Sequence, residues 1–542
     1  MKGVLSMKMT QLSAKQLEII AHNNGMQRYL RSLLEGRSAT PRSWLYEDQS
    51  AENVQKNWLA KLDSLQVGTT FEQGVYQFDT SQLSKWGPQG EIAPIGSLLK
   101  EVVLPSFEDH GKPEAFSSSE WTSAKLRVWE TLAAHKIFAL RPASYESVVD
   151  DMRARDVLES NSGWPLFTRR NKSEVKAASV ADAESGAWRE YPAIALFRNY
   201  RQKTRLVWMF PMSANLVEGS YYQPLYAALA SKNFSFLSPW HGFSQVRSVV
   251  TKSYGEGDVI AASDFSSTDA HFQRYATEEV ADVLELCFQP QYRGGLRESL
   301  LHMHSIPLVI GPDRMITGEH GVSSGSNWTN FVETIFDWIF SWYVTFKDDP
   351  SFNHGKNIYS SRQRIGGLYA IGDDMSWWMD NYDAAFAKRL EAYGKQVGQV
   401  IKAEKTTNDE DKVKSLQRLF QRGYMTQDGK EVRGVYSTIR ALNSSLYPER
   451  FHRPKDWNAD MFCIRQFMIL ENCVDHPLFE EFVRFVCTGN RHLPEFARKS
   501  AGYQEQALRK SKLLPGLNTT YNQEKRDSKL SSFDSIRIAA TL

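Results

Sequence analysis

The 542-residue sequence predicts an α+β fold, in which helices flank a central group of short strands. Apolar residues recur at helical spacing in 13–35, in 120–160 and from 456 into the 510s, which predicts helices towards both ends of the chain. Two apolar runs joined by a Gly-Asp-Asp turn predict a β-hairpin over 368–379. At roughly one domain per 150 residues, the chain has room for about three or four domain-sized units.

The remaining elements follow in chain order. The first helix is expected to end at Gly36, and the second helical region to be broken at Pro142. Residues 161–170 predict a turn that leads into a basic strand within 196–211. The apolar run 258–264 predicts a buried strand, followed by a helix.

Composition excludes several classes of protein. Apolar residues make up 42% of the chain and charged residues 24%, which is typical of a folded globular protein. The net charge of only +2 means that any nucleic acid must be bound in a local basic channel. Four cysteines without a CxxC pair argue against a zinc site or a disulfide framework and fit a reducing compartment.

Two segments could be mistaken for other features. The apolar stretch Thr334–Phe346 is too short for a membrane span and contains Asp337, so we expect a buried helix, no membrane association and a soluble protein. Past Pro515 the sequence turns polar and rich in serine, which predicts a tail, 515–542, rather than a domain.

Three short motifs carry the chemistry. Asp264 closes the predicted strand and Asp269 follows five residues later, where it could equally be a helix cap. Asp373 and Asp374 lie at the tip of the predicted hairpin, where like charges repel unless cations or basic groups neutralise them. By itself such a tip could be an ordinary exposed turn, but the bulky apolar residues beside it predict a precisely placed one.

The third motif is a Ser-Gly loop that opens a predicted helix. Ser324 and Gly325 begin it, and Thr329 and Asn330 follow. Such a loop offers hydroxyls and free backbone N–H groups to a sugar or a phosphate. A helix cap with a glycine turn is the simpler interpretation of the same residues.

In this order the motifs resemble palm motifs A, B and C of viral RNA-dependent RNA polymerases. Flanking segments extend the resemblance over about 161–420. They are similar to motif G (Asn161-Ser-Gly-Trp-Pro165), motif F (Arg201-Gln-Lys-Thr-Arg205), motif D (Ile401-Lys-Ala-Glu-Lys405) and motif E (Ser415-Leu-Gln-Arg418). The motif sequences are most similar to those in the polymerases of small segmented double-stranded RNA viruses, with picobirnaviruses as the first choice and partitiviruses as the second.

The resemblance implies template-directed nucleotidyl transfer with two Mg²⁺ ions, or Mn²⁺ in their place. Two divalent cations would hold the attacking 3′ oxygen and the leaving pyrophosphate. Asp264 and Asp373 are the expected ligands of both ions, and Asp374 assists. Lys405 would be the general acid for the pyrophosphate, although a surface lysine is the rival interpretation.

Further site residues are carried over in the same way. Lys203 and Arg205 would bind the triphosphate, unless this basic strand is only a solvated face. The ribose and the nucleotide would be contacted by the motif A and B residues Asp269, Ser324, Gly325, Thr329 and Asn330. Template and primer RNA would be contacted by Gly163, Pro165, Arg201 and Arg418, of which the first two could equally be a plain turn.

One position departs from the pattern of the family. Many members carry Asn four residues after the motif B Thr, whereas this chain has Glu333 there. Asn330 instead follows Thr329 directly. The usual hydrogen-bond network around the ribose 2′-hydroxyl therefore cannot be transferred whole.

The resemblance also implies a right-hand architecture with fingers, palm and thumb, an antiparallel palm sheet backed by helices, and fingertips that touch the thumb. The expected divisions are an N-terminal bridge (1–60), fingers (61–250), a palm (251–433) with a fingers insertion near 290–320, a thumb (434–514) and the tail (515–542). The partners would be template and nascent RNA, ribonucleoside triphosphates and a capsid protein. The enzyme would work in the virion interior or the host cytoplasm.

Two rival functions remain at this point. A reverse transcriptase usually lacks the second motif A Asp and has an aromatic residue before its hairpin aspartates, so Asp269 and Gly372 argue against it. An inactive RNA-binding protein of the same fold would not need Asp264 and Asp373. A helicase is excluded because the chain contains no G-x4-G-K-[ST] motif.

Overall fold

The computed structural model describes residues 7–349, 364–450, 452–517 and 529–542, and these fold as a mixture of helices and strands. The strands are β1 (Lys8–Gln11), β2 (Ala193–Tyr200), β3 (Lys203–Met209), β4 (Val259–Asp264), β5 (Leu308–Val309), β6 (Arg314–Thr317), β7 (Ile365–Ile371), β8 (Asp374–Met379), β9 (Thr407–Asn408), β10 (Lys412–Ser415), β11 (Arg418–Gln421) and β12 (Val435–Tyr436).

Helices surround these strands. They are α1 (Ala14–Ala21), α2 (Asn24–Glu35), α3 (Ala51–Leu62), α4 (Thr70–Thr80), α5 (Ile95–Leu98), α6 (Ser119–Ala134), α7 (Tyr145–Ala154), α8 (Ser173–Ser185), α9 (Met212–Ala230), α10 (Phe243–Gly255), α11 (Thr268–His271), α12 (Arg274–Leu284), α13 (Pro290–His302), α14 (Trp328–Asp348), α15 (Phe386–Gln396), α16 (Thr438–Leu446), α17 (Ala459–Leu470), α18 (Phe479–Thr488), α19 (His492–Ala497), α20 (Ala501–Ser511) and α21 (Asp534–Ala539). None of the helices in the described part of the chain is both long and apolar enough to cross a bilayer.

The central sheet has four antiparallel strands in the order β7-β8-β4-β9. Strand β4 is apolar from Val259 to Ala262 because both of its faces are covered there. Val259 and Ala261 pack into one hydrophobic core with α14, whereas Ile260 and Ala262 pack into another with Tyr369. The predicted buried strand and the predicted hairpin are therefore confirmed.

A second sheet has five strands in the order β1-β6-β5-β2-β3. The basic strand predicted within 196–211 is in fact a hairpin, since β2 and β3 pair in full register from Ile194 opposite Met209 to Tyr200 opposite Lys203. The reversal uses Arg201 and Gln202, both with positive φ (54° and 63°). Neither residue is glycine or asparagine, so the sequence carried no turn signal here.

The N-terminal region packs against two different parts of the molecule. Helix α1 begins with a capping box at Ser13, and α2 ends at Gly36 as predicted (φ 75°). Both helices contribute to the core of the five-stranded sheet. Residues from Leu45 to Phe78 pack instead with helices α16–α20. The expected boundary at residue 60 therefore does not coincide with a change of packing partner.

The expected C-terminal tail is partly folded. Residues 518–528 lie outside the described residues, but Leu530, Phe533 and Ile536 are buried in the core formed by α16–α20. Glu471 accepts hydrogen bonds from the backbone N–H groups of Asp534 and Ser535 at 2.9 and 3.0 Å. Phe533 and Ile536 stand out in the sequence as possible anchors within this polar segment, and Leu530 precedes them by one helical turn.

Candidate active site

Three aspartates meet where the central sheet ends. Asp264 is the last residue of β4 and lies directly opposite Asp374, the first residue of β8. Asp373 occupies the turn before β8, and its carbonyl accepts a 3.5 Å hydrogen bond from the N–H of Phe265. Two predicted metal ligands and their predicted assistant therefore share one edge of the sheet.

Helix α14 fixes the turn that carries Asp373. The N–H of Gly372 donates to Thr334 Oγ1 at 2.9 Å. Gly372 has a φ of 59°, and a Cβ at this position would lie 2.6 Å from Asn330 Nδ2 and 3.3 Å from Glu333 Oε2. Only glycine fits here, and Asn330 and Glu333 border the aspartate turn.

The acids around this turn destabilise one another's charge. Desolvation, followed by the charge of Asp373, raises the pKa of Asp374 to about 7 and that of Asp269 to about 6. Burial and the same aspartate charge raise the pKa of Glu333 and of Asp337 on α14 well above the ordinary value. Asp337 Oδ2 has no hydrogen-bond partner among the described residues.

Divalent cations would relieve this repulsion, and the donor set fits them. Carboxylate oxygens are hard ligands, and Mg²⁺ is usually held by one or two protein carboxylates together with phosphates and water. The described residues contain no group of three or more His, Cys, Asp or Glu side chains already arranged to hold a metal. The aspartates at the end of the sheet would supply the carboxylate ligands, and phosphate and water oxygens the remaining ones.

The basic strand faces these acids. Lys203 and Arg205 are exposed on β3, and their charges lower the pKa of Asp269 and of Asp373 against the larger effect of burial. The sequence analysis missed two further cations near the acids, Lys85 and Arg440. The pKa of Lys85 is lowered by desolvation and then by Arg201 and Arg440, while Asp264 opposes this effect. Lys85 belongs to a segment without clear periodicity, so no sequence signal marked it.

The Ser-Gly loop lies between the basic strand and α14. Ser324 is exposed, and its hydroxyl accepts a 3.4 Å hydrogen bond from the N–H of Trp208. Gly325 packs so closely against β3 that a Cβ would lie 1.6 Å from the carbonyl oxygen of Trp208. Thr329 was expected to contact the nucleotide, but it is 8% exposed and its hydroxyl donates to the Ser323 carbonyl at 2.7 Å. Thr329 therefore holds the loop instead.

Asp269 does not cap its helix. The short helix α11 has Ser267 at its N-cap position, and no side-chain hydrogen bond caps it. Asp269 keeps some solvent exposure in the cleft between β3 and the aspartate turn, although the surrounding protein desolvates its carboxylate. It lies close enough to Lys203, Arg205 and Asp373 for their charges to affect its pKa. The cap interpretation of Asp269 is therefore wrong, and a role towards a ligand stays open.

Lys405 lies at the end of a single 3-10 turn, Ala403–Lys405, and its side chain is exposed. The strand that follows, β9, pairs with the edge of β4, with Thr407 opposite Ala262. The segment thus runs alongside the strand that ends in Asp264. Its approach is compatible with the predicted role, and its exposure is equally compatible with a surface lysine.

The residues expected to contact RNA fall into two groups. Gly163 and Pro165 form a tight turn, in which a Cβ on Gly163 (φ 67°) would lie 2.4 Å from the Phe210 carbonyl oxygen. Arg201 lies at the tip of the β2–β3 hairpin and donates to Gln82 Oε1 at 2.7 Å. Contact of these three residues with RNA stays a prediction.

The prediction for Arg418 is wrong. This side chain is 0% exposed. It donates to the carbonyl oxygens of Gly434 and Asn472 at 2.9 and 3.0 Å, and its guanidinium lies 3.9 Å from the centre of the Phe243 ring. Arg418 therefore joins β11 to the helices behind it and cannot reach RNA.

A cavity of about 380 Å³ lies beside the β2–β3 hairpin. Its walls are formed by residues 155–160, Tyr200 of the β2–β3 hairpin, Tyr436 of β12 and residues 511–516. The Lys512 ammonium lies 3.3 Å from Asp156 Oδ2 across this space. The C-terminal segment thus reaches the opposite wall.

The chain is similar to known polymerases. Residues 200–443 match the sequence profile of the viral RNA-dependent RNA polymerase family. A potential RNA-dependent RNA polymerase of human picobirnavirus (strain Human/Thailand/Hy005102/-) is 26% identical over 514 residues, which cover 90% of both chains. The crystal structure of a human picobirnavirus RNA-dependent RNA polymerase superposes with a TM-score of 0.77 at 20% identity, covering 98% of this chain and 100% of that one. Its insertion-loop deletion mutant gives a TM-score of 0.74 at 22% identity, covering 93% of this chain and 99% of that one. The expected right-hand fold is confirmed.

Proposed function

We infer that the chain is a viral RNA-dependent RNA polymerase of the picobirnavirus type, and that its active site is the aspartate edge of the central sheet. The observation that carries this inference is the pairing of Asp264 with Asp374, with Asp373 in the turn beside them, inside the segment that matches the polymerase family. The enzyme is an RNA-directed nucleotidyltransferase that acts on an RNA template and nucleotides.

Asp264 and Asp373 would hold two Mg²⁺ ions, with Mn²⁺ as an alternative. The bound ions supply charge stabilisation at the attacking and leaving oxygens. The protein contributes the position of the carboxylates, because the sheet and α14 fix the turn before any substrate arrives. Asp374 is more buried than Asp373. It would either support the metal ligands without contacting an ion or bind one ion only.

The remaining groups would bind and orient the nucleotide. Lys203 and Arg205 would contact the triphosphate, and Lys85 would approach it from the N-terminal segment. Asp269 and Ser324 would face the ribose. Lys405 would donate a proton to the leaving pyrophosphate, a role worth roughly 10²–10⁴-fold in rate.

The biological setting is a proposal of its own. The similarity to picobirnavirus polymerases supports a role in replicating and transcribing a double-stranded RNA genome. In that role the enzyme would act inside the virion or in the host cytoplasm. It would work beside a capsid protein and away from membranes.

Incorporation of labelled UTP on a poly(A) template, with and without an oligo(U) primer, tests the function. We expect template-dependent synthesis of poly(U) that requires a divalent cation. In the parallel arm, the same poly(A) template is paired with an oligo(dT) primer and labelled dTTP. Preference for that pair would support the reverse transcriptase, and RNA binding without synthesis would support the inactive RNA-binding protein.

A further inference from the structure

Helix α9 carries a buried carboxylate that the proposed reaction does not use. Glu218 is 3% exposed, and Asn215, one turn earlier, is 2% exposed. Asn215 Nδ2 donates to Glu218 Oε1 at 2.8 Å. Burial raises the pKa of Glu218 to about 7, although hydrogen bonds to it oppose this effect. A buried carboxylate is costly unless its oxygens are satisfied, so its partners indicate what it does.

Those partners lie at the N-terminus of α14. The hydroxyl of Ser326 donates to Glu218 Oε2, and the backbone N–H groups of Asn327 and Trp328 hydrogen-bond to the same carboxylate. Ser326 Oγ also accepts from the N–H of Trp328 at 3.1 Å. Glu218 therefore supplies, from another helix, the acceptor that a helix N-terminus needs.

Asn215 holds the preceding loop at the same time. Its Nδ2 donates to the carbonyl oxygen of Gly325 at 3.2 Å, and its own carbonyl oxygen accepts from Asn327 Nδ2 at 3.1 Å. Its Oδ1 accepts from the Arg170 guanidinium at 2.9 Å, which fixes the orientation of the amide. The pair formed by Glu218 and Asn215 thus contacts Gly325, Ser326, Asn327 and Trp328, four consecutive residues.

These four residues lie directly between Ser324 and Asn330. Ser324 precedes them and is exposed to the cleft, while Asn330 follows on the first turn of α14 and borders the aspartate turn. Gly325 is pressed against the Trp208 carbonyl oxygen on the other side. The loop therefore has no freedom of its own, and its position depends on α9 and β3.

We propose that Glu218 and Asn215 are positioning residues for ribose recognition, because they set the loop that presents Ser324 and Asn330 to the sugar. This inference rests on the proposed function. Glu218→Gln keeps the size of the side chain but replaces one acceptor oxygen by an amide that donates. One of the donors at the start of α14 then loses its partner, and the loop shifts towards a neighbouring arrangement. Such a shift would weaken a contact from the loop to the 2′-hydroxyl, whereas it would leave a triphosphate contact on β3 unchanged.

The experiment compares UTP with dUTP on a poly(A) template, for the wild-type enzyme and for E218Q. We expect kcat/KM for UTP to fall about tenfold, mainly through KM, with a smaller loss for dUTP, as for a weakened contact to the 2′-hydroxyl. The UTP/dUTP ratio should therefore fall, while affinity for a primer–template duplex stays the same. The exposed Glu130→Gln on α6 is the matched control and should leave every parameter unchanged.

A purely structural role would look different. It would lower the melting temperature and the fraction of active enzyme, and leave the UTP/dUTP ratio at its wild-type value, which would overturn the proposal. If E218Q does not fold, Ser326→Ala tests the same contact with a smaller change and the same expected fall in the ratio. An inactive wild-type enzyme would fault the proposed function instead, so the two failures are distinguishable.

Discussion

The acids around Asp373 are crowded in a way that no stable fold requires. Asp264, Asp269, Asp373 and Asp374 lie near one another, and Glu333 and Asp337 approach from α14. Burial and mutual repulsion raise the pKa values of Asp269, Asp373, Asp374, Glu333 and Asp337. Such a concentration of unfavourable charge is typical of a functional site, where cations complete the balance.

Asp373→Asn should reduce nucleotide incorporation by several orders of magnitude. The amide is the same size and cannot bind a cation as the carboxylate does, so the fold should be kept. The measurement is single-turnover addition of UTP to a primed poly(A) template, together with duplex binding, which should stay near the wild-type value. Asp313→Asn, at an exposed aspartate far along the chain, is the control. Incorporation within about tenfold of wild type would reject Asp373 as a metal ligand.

Asp269→Asn should weaken discrimination between ribose and deoxyribose. Asp269 is not the N-cap of α11, so the change should have little effect on the helix. As an acceptor for the 2′-hydroxyl, it would be worth about 1–3 kcal/mol, and its loss should lower kcat/KM for UTP more than for dUTP. The ratio of the two values is the measurement. An unchanged ratio would mean that the sugar is recognised elsewhere.

The sequence predicted the acids of the site better than the residues around them. Asp264 and Asp373 could be placed because each ends or joins a recognisable strand. Thr329 and Arg418 were placed by resemblance alone, and both turn inward to satisfy backbone carbonyls. Whether a polar side chain points into a cleft or into a core depends on packing between distant segments, which a local pattern does not contain.

At the scale of elements, backbone N–H groups at the N-termini of some helices donate to a carboxylate from another part of the chain. Glu218 serves α14 in this way, and Asp79 of α4 serves α16. Asp79 is 0% exposed and accepts hydrogen bonds from Ser437 Oγ, Thr438 N, Thr438 Oγ1, Ile439 N and His476 Nε2, at 2.6 to 3.2 Å. This contact joins α4 to the start of α16 and to the segment before α18.

Asp79→Asn should lower the free energy of unfolding by about 3 kcal/mol, as expected when one partner of a buried polar cluster is removed. Burial alone would raise the pKa of Asp79, but hydrogen bonds from His476, Ser437 and Thr438 outweigh it and lower the pKa. The stabilisation is therefore present above the ordinary Asp pKa of about 4 and is lost as the pH falls through the lower folded value.

Urea unfolding at pH 7 and at successively lower pH measures both effects. The difference between wild type and D79N should be largest near neutral pH and should shrink in acid. Asp48→Asn, at an exposed aspartate in the same region, should cost little at any pH. A D79N enzyme as stable as wild type at pH 7 would show that the cluster does not hold the two regions together.

The sequence predicted elements well where periodicity was strong and failed where the turn was unusual. Strand β4 and the 368–379 hairpin were correctly placed because their apolar runs are bounded by acids and glycine. The β2–β3 hairpin was missed because Arg201 and Gln202 reverse the chain without a glycine. Long-range contacts stabilise that turn, including the hydrogen bond from Arg201 to Gln82.

At the scale of the whole molecule, the cleft is closed by contacts between the β2–β3 hairpin and the thumb. The Arg198 guanidinium binds the Glu449 carboxylate with two 2.7 Å hydrogen bonds. A second contact joins the segment before α5 to α16, since Gly87 N donates to Asn443 Oδ1 at 2.8 Å. The contact between Arg198 and Glu449 is the kind that the expected fingertip–thumb closure requires, since Arg198 lies in the segment expected to be fingers and Glu449 in the one expected to be thumb.

Lys512→Ala should speed initiation more than elongation. The C-terminal segment 511–516 lines the cavity between the fingers and the thumb, and Lys512 lies 3.3 Å from Asp156 on its far side. RNA that occupies this space must displace the segment. The ion pair is about half exposed, so it contributes only about 0–1 kcal/mol, and its loss should raise the rate of initiation by at most about fivefold.

The measurement separates the first bond formed on an unprimed template from extension of a preformed primer. Lys510→Ala, at an exposed lysine of α20 outside the cavity, is the matched control. Deleting 516–542 would be a poorer test, because it also removes Phe533 and Ile536 from the thumb core and would destabilise the domain itself. Equal changes in initiation and elongation for K512A would mean that the segment is a wall of the cavity and not an obstacle that RNA displaces.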